Sequence, residues 1–335
     1  METPLPPKFN FSQIKHALLD NTQPFPATKL YFFSDISQDD LTQLKKVWPE
    51  VRTERRRGLL EDMETLSEKD TLLFFDPVAI MSLTDEDPVA RATAVRLLWQ
   101  SQKESLVPRF LKLMNEDPES IVRAAAATAL GLFVYLGELE EIKTTTYEKV
   151  VESLIQTHLS ADDRLVRRRA LESLGYASQP EISEFIQRAY ETNDEEWLQS
   201  ALFAMGRSCN PAYHEAVTRM FDHPDTLVCY EAIRAAGELE IKDAREMIFD
   251  LLEEGTDDED LYFAAIWALT KIGGDGVRDL IEMSLEETDD PDEILFLEEA
   301  LENLNFTEQT NLFDMLIIDE DDPDIWEGDE EDLLF

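Results

Sequence analysis

The chain has 335 residues, enough for one elongated repeat domain or two globular ones, and its 43% hydrophobic content excludes wholesale disorder. Its acidity is graded: residues 1–235 carry a net charge of −12 and residues 236–335 one of −31, with no Lys or Arg after Arg278. Salt adaptation would acidify the whole surface, so the gradient speaks against it, and Coulomb repulsion speaks against nucleic acid as a partner of the C-terminal part.

Residues 1–27 hold Pro4, Pro6, Pro7, Pro24 and Pro26 around a short helix expected over Phe11–Asp20, and read as a partly disordered arm. No basic stretch followed by an apolar one opens the chain, so no signal peptide is expected. Residues 28–79 are expected to form an N-terminal cap. Within them Lys29–Phe33 reads as a strand or as part of the cap, and Val51–Leu60 as a divergent first repeat.

From residue 80 to 317 the sequence repeats itself about seven times. The copies open at Asp87, Asp117, Asp162, Asp194 and Asp222, with weaker ones from Asp257 and Asp290. Successive copies lie about 31 to 33 residues apart, except for a gap of about 44 where Lys143–Thr146 marks an insertion. In each copy an Asp is expected to cap a helix, with proline often at the first-turn position (Pro88, Pro118, Pro291). Small and apolar residues then recur at three and four, as at Val122, Ala125 or Ala126, Ala129 and Leu130, which marks one helix face. Gly131, Gly175, Gly206 and Gly237 are expected near helix ends, where a left-handed residue turns the chain. A second amphipathic helix separates the copies, at Leu106–Met114, Val150–Ile155, Ile182–Tyr190, Val217–Phe221, Ala244–Leu252 and Val277–Leu285. Such a pair is too small to bury its apolar face alone, so the expected fold is all-α, an α-solenoid of stacked antiparallel helix pairs.

The Asp-x-x-Val-Arg-x-x-Ala-x-x-Ala-Leu-Gly pattern, clearest at Asp162–Gly175, resembles the short bacterial HEAT repeat, also found in phycobilin-lyase-like proteins. The resemblance implies that Arg91, Arg123 and Arg167 each bond an Asp of a neighbouring repeat. Leu198 and Cys229 replace that Arg later, so the stitching is expected only in the N-terminal half. It specifies fold strongly and function hardly at all.

The tail at 318–335 mixes carboxylates with Ile325, Trp326, Leu333, Leu334 and Phe335, and reads either as a partner-binding motif or as solubilising chain. Chemistry is sparse. Two cysteines, Cys209 and Cys229, fit a reducing cytoplasm rather than a disulfide framework. HEAT-repeat hydroxylases hold iron on several His-Glu pairs, and here only His214-Glu215 matches. No nucleotide-binding, nucleophile-elbow or zinc-protease motif occurs, so no catalytic residue, cofactor or metal is expected. The clusters Arg52-Arg55-Arg56-Arg57 and Arg164-Arg167-Arg168-Arg169 read as ion-paired, the alternative being a seat for an anionic partner or the chain's own tail.

The function expected is a non-enzymatic scaffold or adaptor that binds a protein, for which the acidic C-terminal part would suit a basic one, with neither nucleic acid nor membrane as partner. Arg91, Trp99, Arg168, Trp197, Trp267 and Trp326 are the candidate contact residues, because aromatic and Arg anchors dominate interfaces. The alternatives are an enzyme of the bilin-lyase or metal-hydroxylase type and an assembly chaperone for a basic client. A monomer in the cytoplasm is expected. No run of eighteen apolar residues occurs, so no membrane-spanning helix is expected either.

Overall fold

The structure, a computed structural model, describes residues 9–316 apart from Asp257, and among them it contains helices and no strand. Pro4, Pro6 and Pro7 and the tail at 318–335, with Trp326, lie outside the described residues.

The first helix, α1 (Phe11–Leu19), is closed by a capping box between Asn10 and Gln13, and it buries Ile14 and Leu18 completely. The segment after it is held by Arg55, whose Nη2 donates to the carbonyls of Asp20 and Gln23 at 2.8 and 2.5 Å. Helix α1 is thus packed on the fold, and the largely exposed segment 21–27 is tied down by Arg55. Ala27–Phe33 forms a 3₁₀ turn, not a strand.

Helix pairs come next in the chain: α2 (Gln38–Val47) with α3 (Thr53–Lys69), α4 (Asp76–Ser82) with α5 (Pro88–Arg96), and α6 (Val107–Glu116) with α7 (Ser120–Glu138). Then come α8 (Thr144–Leu159) with α9 (Arg164–Leu174), and α10 (Pro180–Tyr190) with α11 (Glu195–Arg207). The last three pairs are α12 (His214–Thr218) with α13 (Thr226–Glu238), α14 (Ala244–Glu254) with α15 (Glu259–Ile272), and α16 (Val277–Glu287) with α17 (Pro291–Leu316). The expected first repeat at Val51–Leu60 is the second helix of the α2/α3 pair.

The chain divides into two compact units, with the division between Ala204 and Met205. Each is a solenoid stack. In the first, the second helices α3, α5, α7 and α9 lie one against the next; in the second, α13, α15 and α17 do the same. The cause is residue size. Ala124, Ala126, Ala127 and Ala170 are buried at these contacts, and their short side chains let helix axes approach. The glycines have the same role. A Cβ on Gly175 would lie 2.8 Å from Ala204 Cα, and one on Gly237 would lie 2.7 Å from Ala268 Cα.

That finding corrects the expectation of left-handed glycines. Gly175 has φ −54°, and none of Gly131, Gly175, Gly206 and Gly237 is among the positive-φ residues. Their helices run on past or to the glycine, and at Gly175, Gly206 and Gly237 the missing Cβ leaves room for a neighbouring helix. The left-handed positions after α7 and α13 belong to Glu140 (φ 60°) and Glu240 (φ 50°). There the amides of Glu141 and Ile241 reach back to Leu136 O and Ala236 O at 2.8 and 3.0 Å, closing each helix in a Schellman turn.

Three further expectations shift. Asp87 caps α5 through Ala90 N, and Asp194 accepts from Trp197 N at the start of α11. Asp117, however, lies three residues before α7 and accepts instead from Glu119 N at 3.0 Å. Asp163 rather than Asp162 caps α9, and Asp225 rather than Asp222 caps α13. The insertion marked by Lys143–Thr146 lies between two long helices, α7 with 19 residues and α8, opening at Thr144, with 16. Finally, α7 is long and apolar enough to cross a membrane, with a mean hydropathy of 1.6, though no run of eighteen apolar residues occurs in it. Its apolarity has a local cause, because α5, α6, α8 and α9 all pack on it.

Candidate functional site

The charged residues of the repeat are structural. In the first unit an Arg of one second helix reaches the Asp that opens the next, forming a ladder. Arg57 Nη2 meets Asp87 Oδ1 at 2.5 Å, and Arg91 holds Asp117 by two parallel bonds of 2.8 Å. Arg123 holds Asp162 by bonds of 2.9 and 2.5 Å. Arg91 also donates through Nη1 to the carbonyls of Asp85 and Glu86, and Arg123 to those of Asp117 and Pro118. Both guanidinium groups are therefore turned inward and engaged, which makes Arg91 a stitch between repeats. The Arg57 and Arg123 guanidiniums hold the carboxyls of Asp87 and Asp162 below the usual carboxylate range.

The next rung is made by Arg164, which pairs with Asp194 and, at 2.8 Å, with Glu196. Arg167, expected there, turns back to the carbonyl of His158 at 3.0 Å and stacks over Trp197 at 5.5 Å. Trp197 in turn meets the His158 ring edge-on at 5.8 Å, and Phe185 lies tilted against that ring at 5.2 Å. Trp197 is thus part of the packing between pairs. Arg168 is buried: its Nε donates to Ser200 Oγ at 2.8 Å, and that hydroxyl donates to Glu172 Oε1 at 2.7 Å. Arg169 binds the other oxygen of Glu172 at 2.5 Å. Five of the eight arginines in the two clusters make ion pairs, Arg55 and Arg167 go to carbonyls instead, and Arg52 is exposed with no ion pair among the described residues.

The remaining candidates are more open. Trp99, just past α5, is 50% exposed. Trp267 stands on α15 in a groove of about 220 Å³ in the second unit. The groove is a helical stripe: Asp260, Phe263, Ala264, Trp267, Ala268 and Lys271 on α15, spaced at three and four, with Tyr230, Arg234, Gly237 and Glu238 on α13 and Phe296 on α17. The aromatic rings touch, with Phe263 and Phe296 centroids 4.6 Å apart and Trp267 and Phe296 centroids 6.1 Å apart. None of the four aromatic residues is fully buried. Two cations on the stripe are neutralised locally, Arg234 by Glu231 at 2.9 Å and Lys271 by Glu238 at 2.9 Å. Around them residues 205–316 hold 29 acidic and 7 basic residues. Sequence reasoning found Trp267 but missed Tyr230, Phe263 and Phe296. The shared face of Phe263 and Trp267, four apart on one helix, was the available signal.

The one His-Glu pair is occupied otherwise, since Glu215 accepts from Arg219 at 2.5 Å. Among the described residues no three His, Cys, Asp or Glu side chains converge as a metal site. Both cysteines are free thiols.

The sequence profile of HEAT repeats matches residues 77–145 and 214–302. No curated protein matches the sequence. Among solved structures the chain is similar to YibA of Escherichia coli, at 17% identity and a TM-score of 0.41, over 85% of this chain and 99% of that one. It is also similar to human deoxyhypusine hydroxylase, at 14% identity and a TM-score of 0.35, over 88% and 96% of the two chains. Importin beta gives 12% identity and a TM-score of 0.40, over 88% of this chain and 46% of the other.

Proposed function

We propose that the chain acts without catalysis, as a scaffold that binds a basic protein segment through the aromatic groove of its second unit. The observation that carries this reading is the cluster of incompletely buried rings at Tyr230, Phe263, Trp267 and Phe296 within strongly acidic surroundings. Rings on an open helical face leave apolar area in water that a partner's side chain would cover. The surrounding carboxylates would speed and orient the approach of Lys- or Arg-rich chain, and salt would weaken that effect. Exposed Asp260 on the groove wall is placed to meet a cation next to the apolar anchor.

Selection from a displayed peptide library tests the reading. Peptides with several Lys or Arg around one aromatic or Leu residue should be enriched. Trp267→Ala should weaken them by about tenfold or more, the loss typical of a central aromatic anchor. Enrichment of acidic peptides, or equal retention by Trp267→Ala, would count against it.

A further inference from the structure

The first unit carries a second concave site, of opposite character. A cleft of about 690 Å³ opens between α2, α4 and the start of α6, a size in the range of pockets that enclose ligands. Leu41, Pro49, Pro77, Ile80 and Met81 are the apolar part of its lining. Its buried charges are settled within the fold. Arg56 pairs with Asp85 at 3.0 Å, with side chains 8% and 1% exposed, and Trp48 Nε1 donates to the same carboxylate at 2.7 Å. Asp76 accepts from Ser101 Oγ at 2.6 Å and from Lys103 Nζ at 2.9 Å.

What remains at the rim is a surplus of cations. Lys45, from α2, and Arg109, from α6, line the cleft, are exposed, and have no ion pair among the described residues. Glu86 is the one lining carboxylate not tied into a side-chain pair there. In a chain of net charge −43 the lining carries Lys45, Arg56, Lys103 and Arg109 against Asp76, Asp85 and Glu86, with apolar side chains between them. The interspersed Asp76, Asp85 and Glu86 oppose a dense polyanion such as a phosphate chain. Single carboxylates spaced by apolar side chains avoid them. Apolar surface also continues past the mouth, because Phe74 is 42% exposed and lies under Lys103 Nζ at 4.7 Å. A small molecule held in the cleft would leave that ring in water, and a chain crossing the mouth would cover it.

We propose that this cleft binds an acidic peptide segment carrying a bulky apolar residue, with the apolar side chain against Ile80 and Met81 and flanking carboxylates on Lys45 and Arg109. The site does not depend on the aromatic groove of the second unit and takes a ligand of the other sign.

The probe is a fluorescent decapeptide of alternating Asp and Glu with two adjacent Leu at its centre. Its controls replace both Leu by Ser, or all acids by Asn and Gln. Residues 319–335 of the chain have similar chemistry, so anisotropy is measured on the full chain and on a full chain with Trp326, Leu333, Leu334 and Phe335 changed to Ser. Saturable binding is expected on at least one of the two, weakened by added salt. Lys45→Glu with Arg109→Glu, both exposed, should weaken it by about tenfold or more while the circular dichroism spectrum stays unchanged. Each control peptide should bind more weakly than the probe. Trp267→Ala should leave the probe's binding unaltered, which separates this site from the proposed basic-segment groove. Absence of saturable binding on both chains, binding that survives the double charge reversal, or equal binding of the Leu-to-Ser peptide would overturn the proposal.

Discussion

Gly175→Ala is the most direct probe of how the repeats are held together. In an ordinary helix interior, replacing Gly by Ala stabilises by about 1 kcal/mol, because the unfolded chain loses less freedom. Gly58, inside α3 with nothing within 4 Å of the site of an added Cβ, should show that gain. At Gly175 the new methyl would sit 2.7 Å from Ala204 O and 2.8 Å from Ala204 Cα, both backbone atoms that yield only if a helix moves. Overpacking of this kind costs about 1–3 kcal/mol, and a rigid neighbour places it in the upper part of that range. The net expectation is a loss of about 1–2 kcal/mol, so Gly58→Ala and Gly175→Ala should differ by about 2–3 kcal/mol in opposite directions. Gly237→Ala should resemble Gly175→Ala, since its Cβ would lie 2.7 Å from Ala268 Cα. Gly206→Ala, with 3.0 Å to Ala235 Cα and 3.2 Å to its Cβ, should fall near neutral. Urea unfolding followed by circular dichroism at 222 nm reads the order, provided that slope and midpoint are fitted together, because two compact units need not unfold as one. Stabilisation by Gly175→Ala equal to that by Gly58→Ala would refute the close-approach argument.

Other expectations rest on the same contacts. Arg91→Ala leaves the Asp117 carboxylate without its two bonds and should cost about 2–3 kcal/mol, below the full loss for a buried pair because the pair reaches solvent at its edge. Arg91→Lys should recover only part of this in the same unfolding experiment, since an ammonium cannot make the bidentate contact. Glu240→Gly should raise the unfolding midpoint by the equivalent of up to about 1 kcal/mol, because a left-handed residue strains any side chain. No gain there would mean that the turn is held at no cost. His158 is 8% exposed, and its burial beside Phe185 and Trp197 holds its pKa below the usual histidine value. Protonation then favours the unfolded chain, so His158 destabilises the fold as pH falls below about 6.5, by up to about 1.4 kcal/mol per pH unit until the folded-state pKa is passed. His158→Phe should flatten that part of a stability–pH curve, and an unchanged slope would assign it to other groups. Tyr147, half-buried and donating to Glu138, has its pKa pushed up to about 12, so its phenolate absorbance should appear only in stronger base than that of an exposed tyrosine.

Much of this molecule was legible in the amino-acid order. Apolar and small residues at three and four, an Asp before each run and a period near thirty residues determine helix pairs that must stack, since no pair can hide its own apolar face. The first repeat at Val51–Leu60 and the ladder arginines Arg91 and Arg123 came from the resemblance of that pattern to the short bacterial HEAT repeat. Tertiary structure decided the rest, because those features depend on distances between helices that sequence spacing does not contain. Arg164 makes the rung in place of Arg167 because the arginine that can reach the next Asp depends on how far apart two pairs stand. The glycines proved to be gaps for a neighbouring helix rather than bends, a distinction visible only once Ala204 and Ala268 are in place. The two concave sites likewise join residues from helices far apart in the chain. Trp267 acquires Phe296, and Lys45 acquires Arg109, only when the pairs are laid one on the next.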